Sequence, residues 1–300
     1  MKKEPVHVVI GNELVRAAHG LSLMEKRVLM LAITKLDSTA PALPANLVSR
    51  ITVKELITQY DIDEKIAYSQ AKAAIESLMS RYIRVKNNGI ESRMQWAGQS
   101  NYKSNEGWLE IEFWHRLAPM LFELKNHFTA YKLSRVSGMK SVYSWRLFEL
   151  LMQFKRTGLL NIPIDDFYHA MDAPESLRAN FSNLRNRVIE PAVKEIREKD
   201  GLLVEWEAIK AGRKVKALKF TFPTEQSLKL DTEPKSEPSA KRATTPAPAS
   251  PKTEPSVLSL AEIKSRLESA RALAALANTS IETYLTERDR TAIKYHQLTI

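Results

Sequence analysis

The stretch IPIDDFYHAMD, residues 162–172, resembles ITVKELITQYD, residues 51–61, at a constant offset of 111 residues. Both stretches alternate apolar and polar residues and then end in an acidic one. The aligned pairs include Leu56 with Phe167 and Asp61 with Asp172. Farther along, AIESLMSRYIRV (74–85) resembles VIEPAVKEI (188–196) at an offset of 114 residues. Similarity at a nearly fixed spacing indicates one structural unit that occurs twice.

The segments around each copy follow the same order. An apolar helix precedes each copy, over 23–36 in the first half and over SVYSWRLFELLMQF (141–154) in the second. Alternating segments that predict β-hairpins follow: YIRVKNNGIESRMQW with an Asn88-Gly89 turn and then GWLEIEFW, and later GLLVEWEAI and KVKALKFTF. The chain therefore repeats one order of elements: helix, short strand, helix, helix, hairpin. This repeated order predicts an α+β fold of two winged helix-turn-helix domains in tandem.

Helix-start signals support this arrangement. Ser22 and Glu25 form a capping-box pattern, and the helix after them is apolar nearly all round, as a buried central helix should be. NELVRAA before it predicts a short helix that stops by Gly20. A second capping box, Ser259 with Glu262, opens a helix near the end of the chain.

Composition predicts where the folded part ends. Residues 231–256 contain six prolines and almost no apolar side chains, which is typical of a disordered linker. The predicted organisation has four parts: a winged-helix domain over 8–130, a DNA-binding winged-helix domain over 131–223, a disordered Pro-rich linker over 224–257 and a helical tail over 258–300.

The charge of the chain favours an anionic partner. It has 45 Lys and Arg against 35 Asp and Glu, a net charge of +10. Residues 1–222 carry 34 basic and 25 acidic side chains, so nearly all of the excess lies in the predicted domains. Such a surplus favours nucleic acid before membrane. The absence of cysteine excludes disulfides, thiolate nucleophiles and cysteine-ligated zinc. With no signal-peptide pattern and no long apolar run, we expect a cytoplasmic protein without a membrane partner.

Three segments carry a resemblance to a known family. LSLMEKRVLMLAITKL, YKLSRVSGMKSVYSWRLFELLMQF and above all LRNRVIEPAVKEI followed by a basic hairpin resemble the iteron-binding plasmid replication initiators, the twin winged-helix proteins of the F plasmid and its relatives. The resemblance covers about residues 8–222. It implies that monomers bind direct repeats (iterons) in double-stranded origin DNA, open the nearby DNA and recruit the host replicative helicase and the host initiator. It also implies a monomer–homodimer equilibrium whose dimer represses its own gene.

The helix over 178–197 is the predicted reading element. At 100° per residue, the apolar side chains cluster on one side: Phe181, Leu184, Val188, Ala192 and Ile196. Asparagine and arginine, which match base edges bidentately, lie mainly opposite. The predicted DNA-contacting residues of this helix are Arg178, Asn180, Asn183, Arg185, Asn186, Arg187 and Lys194. Arg187 is the candidate for a guanine, and Arg185 is expected at the helix edge or on a phosphate. The competing interpretation is an ordinary solvated face.

Pro191 interrupts this helix. It removes the hydrogen bond to the Arg187 carbonyl, and we expect a kink there. The kink would either let the first half enter a DNA groove or only accommodate packing of residues such as Ala192 and Ile196; the sequence leaves both open.

The predicted wing tip concentrates four cations beside a glycine: Lys210, Arg213, Lys214 and Lys216. Such a tip can clamp phosphates without reading sequence; the alternative is a solubilising loop. The corresponding first-half helix, expected from about 64 to 82 with Ile75, Leu78, Met79 and Tyr82 as its core stripe, is nearly neutral. Its candidate DNA contacts are Ser69, Lys72, Arg81 and Lys86. We therefore expect the second domain to supply most of the affinity for DNA. The resemblance implies that the first domain carries the contact between the two subunits of the dimer.

Other functions are weighed against this one. The six histidines are scattered with no HxH pair, and neither a P-loop nor GxGxxG occurs, so we predict no catalytic residue, metal site or cofactor and no enzyme. A rolling-circle nickase would need a metal-binding histidine pair. A sequence-specific transcription regulator would share the same physics of DNA contact, and an interaction scaffold would use the terminal helix.

Overall fold

A computed structural model describes residues 6–40, 47–87, 90–224 and the single residue 293. The predicted linker over 224–257 and helical tail over 258–300 lie outside the described residues, apart from positions 224 and 293. The α-helices are α1 Asn12–Arg16, α2 Leu23–Ile33, α3 Val53–Tyr60, α4 Glu64–Leu78, α5 Ala118–Leu121, α6 Val142–Met152, α7 Ile164–Ala170, α8 Glu175–Arg178, α9 Phe181–Leu184 and α10 Glu190–Asp200. The strands are β1 His7–Gly11, β2 Val48–Thr52, β3 Tyr82–Asn87, β4 Ile90–Gln95, β5 Ala97–Lys103, β6 Trp108–Phe113, β7 Phe128–Lys132, β8 Leu159–Pro163, β9 Glu205–Ala211 and β10 Lys214–Thr221.

Two three-stranded sheets have the same topology. In the first half the order is β2-β6-β5, and in the second it is β8-β10-β9. In each, the short strand before the helices pairs antiparallel with the last strand of the hairpin. The prediction of two tandem winged-helix domains with mixed helix and strand content is thus confirmed.

The two copies also agree residue by residue. Leu56 and Phe167, aligned by the sequence repeat, are both fully buried in the core. Asp61 and Asp172 both adopt left-handed backbone conformations just after α3 and α7, with φ of 50° and 48°. Aspartate tolerates this region better than most side chains do, which explains why the same residue type recurs at the end of the same helix.

The first domain differs from its predicted outline in two ways. Its winged-helix hairpin is β5–β6, whereas the segment 82–95 forms a separate two-stranded hairpin, β3–β4, which has no counterpart in the second domain among the described residues. The predicted Asn88-Gly89 turn lies outside the described residues. The prediction of a helix up to about 82 is wrong: α4 ends at Leu78, and Tyr82 lies in β3 with 53% of its surface exposed. Tyr82 therefore belongs to no core stripe, since strand pairing replaces the helical period there.

A second two-stranded sheet, β1–β7, brings residues 7–11 against residues 128–132. The predicted domain boundary at 130/131 runs through β7, so the position of that boundary stays a prediction. The Ser22–Glu25 capping box is present, with Ser22 Oγ accepting from the Glu25 amide and the Glu25 carboxylate accepting from the Ser22 amide.

The helix α2 is buried as expected, but its burial includes a charge. Lys26 is 1% exposed, and its Nζ lies 2.7 Å from a carboxylate oxygen of Glu149 on α6, which is equally buried. Tyr131 on β7 donates to the other Glu149 oxygen at 2.7 Å, and Trp145 Nε1 donates to the Tyr131 hydroxyl at 3.0 Å. This buried network joins the first-domain helix α2 to the helix that opens the second repeat.

A second buried cation, Arg146 on α6, extends the junction. Its guanidinium donates to the backbone carbonyls of Ala17 and Ala170 and contacts the ring of His19. Burial, reinforced by the nearby Arg146 and Lys26, holds the pKa of His19 well below its ordinary value. The junction between the two repeats is therefore packed around ionisable groups that are removed from solvent.

Candidate nucleic-acid interface

The reading element, predicted over 178–197, is a helical run that extends from Phe181 to Asp200. The predicted start is wrong, because Arg178 ends the separate short helix α8 and the backbone at Asn180 is extended. The run consists of α9, a π-helical turn over Arg185–Ile189, and α10. Asn180 caps its start, since its side-chain oxygen accepts from the Ser182 amide at 2.8 Å. Gly201, with φ of 78°, ends it in the left-handed conformation that favours glycine at this position.

The interruption predicted at Pro191 is a π-turn rather than a simple break. The Glu190 amide donates to the Arg185 carbonyl, five residues back, and Pro191 follows directly at the start of α10. A π-turn contains one more residue than an α-turn, so the side chains after it are offset by one position. This offset explains why Val188 and Ile189 are both buried although they are adjacent.

The apolar side of this helix packs inward as predicted. Leu184, Val188, Ala192 and Ile196 are buried, and Phe181 is half-buried. The polar flank lies outward: Arg178, Asn180, Arg185, Asn186, Arg187 and Lys194 are wholly or partly exposed, and Asn183 is half-buried. The flank that the sequence assigns to DNA is therefore on the surface of the molecule.

Several of these side chains are already held by protein contacts. Arg178 donates from Nε to the Ala173 carbonyl at 2.7 Å, and its guanidinium lies 6.0 Å from the Tyr168 ring centre. Asn183 donates to the Ser176 carbonyl at 3.3 Å. Asn186 donates to Ser182 Oγ at 3.4 Å. Each keeps further donors or acceptors, so these contacts orient the side chains without using up their hydrogen-bonding capacity.

The remaining cations of the flank differ in their partners. Arg187 is exposed and makes no hydrogen bond or ion pair with any residue that the structure describes. Arg185 pairs with Glu190, Nε to Oε1, at 3.1 Å, and Lys194 lies 3.9 Å from Glu198. Arg187 thus has no protein partner among the described residues, which leaves its guanidinium donors available to a ligand.

The carboxyl-terminal half of the helix is anchored to the rest of the domain. Arg135 binds Asp200 bidentately, at 2.7 and 2.6 Å, and the Asp200 side chain is 4% exposed. Glu195 accepts from the backbone amides of Lys140 and Ser141 at 2.7 and 3.2 Å, just before α6. The reading flank is therefore mounted on a helix with little freedom to rotate.

The wing is the hairpin β9–β10, whose tip is Gly212-Arg213. Gly212 has φ of 62°, and a Cβ there would meet nothing within 4 Å. The four predicted phosphate contacts, Lys210, Arg213, Lys214 and Lys216, are all exposed. Trp206 of β9 packs near Phe181, with ring centres 6.4 Å apart, so the sheet that carries the wing adjoins the start of the reading helix.

The candidates in the first domain are less available. Arg81 binds Glu25, whose side chain is 3% exposed, at 3.0 Å, which gives Arg81 a structural role. Lys72 is exposed beside Glu76, and Ser69 bonds the Ile66 carbonyl of its own helix. Exposed Lys86 lines a cleft of about 430 Å³ between the two repeats, together with His169. Burial, with Lys86 nearby, lowers the pKa of His169. Of these four residues, Arg81 is held in an ion pair and Lys72 has an acidic neighbour, which lowers the positive charge that either offers to DNA.

The sequence does not predict two structural features of this surface. Glu190 lies beside Arg185 only because of the π-turn, and Trp206 links the wing to the helix start. No periodic pattern identifies either one. Within the described residues, no group of three or more His, Asp or Glu side chains could hold a metal ion, and no helix there is long and apolar enough to cross a membrane.

Comparison with known proteins identifies the family. The description "Initiator Replication protein, WH1" matches residues 7–152, and "Initiator Rep protein, WH2" matches residues 163–222. The two matches together span 206 of the 300 residues. The chain belongs to the twin winged-helix replication initiators. The resemblance inferred from the sequence is therefore confirmed, and this family is one of initiators rather than a class of enzymes; the absence of catalysis stays a prediction.

Individual relatives agree with this family. A "Replication initiation protein" of Escherichia coli is 27% identical over 232 residues, covering 74% of this initiator chain and 71% of that protein. An uncharacterized 27.6 kDa protein of Escherichia coli is 29% identical over 219 residues, or 69% of this chain and 92% of that one. Among solved structures, the crystal structure of the Pi initiator protein in complex with iteron DNA matches with a TM-score of 0.63. It covers 75% of this chain and 99% of that chain at 22% identity, a likeness of fold.

Proposed function

We propose that this protein starts plasmid replication by binding direct repeats, or iterons, in double-stranded origin DNA. The observation that carries the proposal is the exposed flank of the helix over 181–200, in which Arg187 has no partner among the described residues. Arginine in that state can bond a guanine edge bidentately. Membership of the initiator family and the likeness to a fold seen on iteron DNA support the same function.

The second domain has two surfaces that would contact DNA in different ways, the outer flank of the reading helix and the wing. The helix flank would enter the major groove, as the second helix of a helix-turn-helix does. Its contacts would be Asn183, Arg185, Asn186, Arg187 and Lys194, with Asn180 at the cap and Arg178 at the end of α8 beside it. The wing cations would hold phosphates beside the helix flank. The first domain would add less affinity, because Arg81 is bound to Glu25 and α4 carries both Lys72 and Glu76.

The finer steps belong to the same proposal. After binding, the protein would open the neighbouring DNA and recruit the host replicative helicase and the host initiator, and its dimer would repress its own gene. A monomer–homodimer equilibrium would separate these two activities. Sedimentation of the full chain, with and without a repeat-bearing duplex, tests the equilibrium: a dimer that dissociates when the duplex binds is the expected result.

Footprinting on the DNA that flanks the gene is the decisive experiment. Protection of several direct repeats supports an initiator. Protection of only one inverted repeat, with no direct repeats, would instead support a transcription regulator with the same physics of DNA contact. The complementary test supplies the protein in trans to a plasmid that carries only the flanking fragment. Replication of that plasmid is expected, and failure to replicate despite clear protection would overturn the initiator role.

Nicking provides a control on mechanism. Supercoiled DNA bearing the protected fragment is incubated with the protein and magnesium, and the fraction of nicked circles is measured on a gel. We expect no increase over protein-free DNA. Nicking that depends on the protein and maps to one position in the fragment would contradict the assignment and indicate a nuclease.

A further inference from the structure

The π-turn in the reading helix brings together a side-chain pair whose spacing a regular α-helix does not favour. In an α-helix, residues five apart are separated by about 140° around the axis and do not face each other. Here the Glu190 amide donates to the Arg185 carbonyl, which sets residue 190 alongside residue 185. Arg185 Nε consequently lies 3.1 Å from Glu190 Oε1.

This pair does not serve stability to any useful extent. The Arg185 and Glu190 side chains are 55% and 46% exposed. Exposed ion pairs contribute little to folding because water and salt screen them. A carboxylate on a flank that otherwise carries arginine and asparagine also works against binding of a polyanion. The ion pair therefore contributes little to stability, and we look for a role of Glu190 in its effect on Arg185.

The geometry of the contact indicates that role. Glu190 engages Arg185 through Nε, so the two terminal nitrogens of the guanidinium remain open to a second, bidentate partner. The carboxylate also offsets the charge of Arg185, which weakens its attraction to phosphates in general. An arginine whose Nε is bound to a carboxylate can still donate two hydrogen bonds from its terminal nitrogens. It therefore binds best to a pair of acceptors in a fixed geometry, such as the O6 and N7 atoms of guanine.

We propose that Glu190 is a positioning residue that turns Arg185 from a phosphate contact into a second base-reading arginine beside Arg187. The proposal rests on the proposed function, since it requires sequence-specific binding by this helix. It assigns a role to an acidic side chain, and it makes the π-turn the device that brings this side chain to Arg185. The recognised element is a guanine-containing base pair in duplex DNA.

The test compares Glu190→Ala with a matched control, Glu198→Ala. Both substitutions remove one exposed carboxylate from the same helix, and Glu198 pairs with Lys194 at 3.9 Å in the ordinary i, i+4 manner. The probe is a library of synthetic duplexes with a randomised central segment, from which the full-length wild-type protein selects its preferred sequence. Dissociation constants are then measured for that sequence and for each of its single-base variants at one fixed salt concentration.

Glu190→Ala is expected to lower discrimination at one guanine-containing base pair by about tenfold, the range that a single bidentate contact supplies. Both alanine variants are expected to bind scrambled duplexes a few times more tightly, since each removes a negative charge near phosphates. Only Glu190→Ala should change the base preference. Glu190→Gln, whose amide oxygen can still accept from Arg185 Nε, is expected to retain more discrimination than Glu190→Ala.

Two further variants separate positioning from direct reading. In an Arg185→Ala background, Glu190→Ala should cause no additional loss of discrimination. An additional loss there would mean that Glu190 contacts a base itself, and equal discrimination by wild type and Glu190→Ala would mean that it positions nothing; either result overturns the inference while the proposed function stands. If the wild-type protein selects no sequence at all, both the proposed function and this inference fail. Thermal unfolding of each variant, expected to match the wild type, checks the fold.

Discussion

Glu149→Gln is expected to lower the free energy of unfolding by about 3–5 kcal/mol, the usual cost of removing one partner from a buried ion pair. In the native protein, the Glu149 carboxylate accepts from Lys26 Nζ and from the Tyr131 hydroxyl, each at 2.7 Å. Both charged side chains are 1% exposed, so water cannot take the place of the missing charge. Glutamine keeps an oxygen for Tyr131 but leaves the Lys26 ammonium buried without a counter-charge.

A double variant tests whether the charge itself is the cause. Lys26→Met combined with Glu149→Gln removes both charges and still offers Tyr131 an acceptor. Replacing a buried pair by neutral groups of similar volume is often nearly neutral for stability, so we expect the double variant to recover most of the stability that Glu149→Gln loses. The recovery stays incomplete because the buried Arg146 loses the nearby Glu149 charge in both variants. Glu207→Gln is the surface control: its partner Lys219 lies 2.7 Å away, but both are well exposed, and the cost should stay below about 1 kcal/mol.

Urea unfolding followed by tryptophan fluorescence measures these differences, because Trp145 donates to the Tyr131 hydroxyl within the same network. Midpoints are compared at equal m-values, which shows that the same surface is exposed in each variant. The reasoning fails if Glu149→Gln costs no more than the surface control. The single variant Lys26→Met is measured as well. The reasoning also fails if the stability lost in the double variant equals the sum of the losses in Lys26→Met and Glu149→Gln.

Three further predictions concern DNA binding and pH. Arg187→Ala should weaken binding to the preferred sequence by about 1–3 kcal/mol and relax the preference at one base pair; anisotropy titrations that show equal weakening on every duplex would make Arg187 a phosphate contact instead. Alanine at all four wing cations, Lys210, Arg213, Lys214 and Lys216, should lower the slope of log affinity against log salt by about 0.9 for each phosphate that the wing no longer neutralises; a slope like that of the wild type would contradict the clamp. Because burial depresses the folded-state pKa of His19, the unfolded state binds an extra proton once the pH falls below about 6.5. Between about pH 7.5 and about pH 5.5, the free energy of unfolding should therefore decrease by a total of up to about 1.4 kcal/mol more in the wild type than in His19→Gln. Urea titrations from about pH 7.5 down to about pH 5.5, which bracket the ordinary histidine pKa, measure this difference, and parallel pH profiles would refute it.

The repeated sequence pattern is enough to predict the domain architecture, and particular residues show why. Leu56 and Phe167 recur because the same strand–helix corner must be filled twice, and both are fully buried. Asp61 and Asp172 recur because the chain turns through a left-handed conformation at the same point. A helical wheel also predicts the apolar side of the reading helix correctly. Its members are all buried: Leu184, Val188, Ala192 and Ile196.

Other features escape prediction for definite reasons. A wheel with a constant 100° step places Ile189 and Glu190 wrongly, because the π-turn adds one residue before Pro191. Alternation alone cannot assign strand partners, so it does not separate the β3–β4 hairpin from the winged-helix hairpin, which is β5–β6. Glu149, the buried partner of Lys26, lies 123 residues away in the chain, and His19, one buried partner of Arg146, lies 127 residues away.

The order of residues by itself determined the two winged helices, the side of the reading helix that packs inward and the residue types on its outer flank. Those properties follow from local periodicity and from the chemistry of single side chains. Tertiary structure alone decided how each cation is held. Arg81 is bound to Glu25, Arg185 is aligned with Glu190, and Arg187 keeps its guanidinium open to solvent. Such differences depend on distances between side chains, and these distances exist only once the helices and sheets have packed.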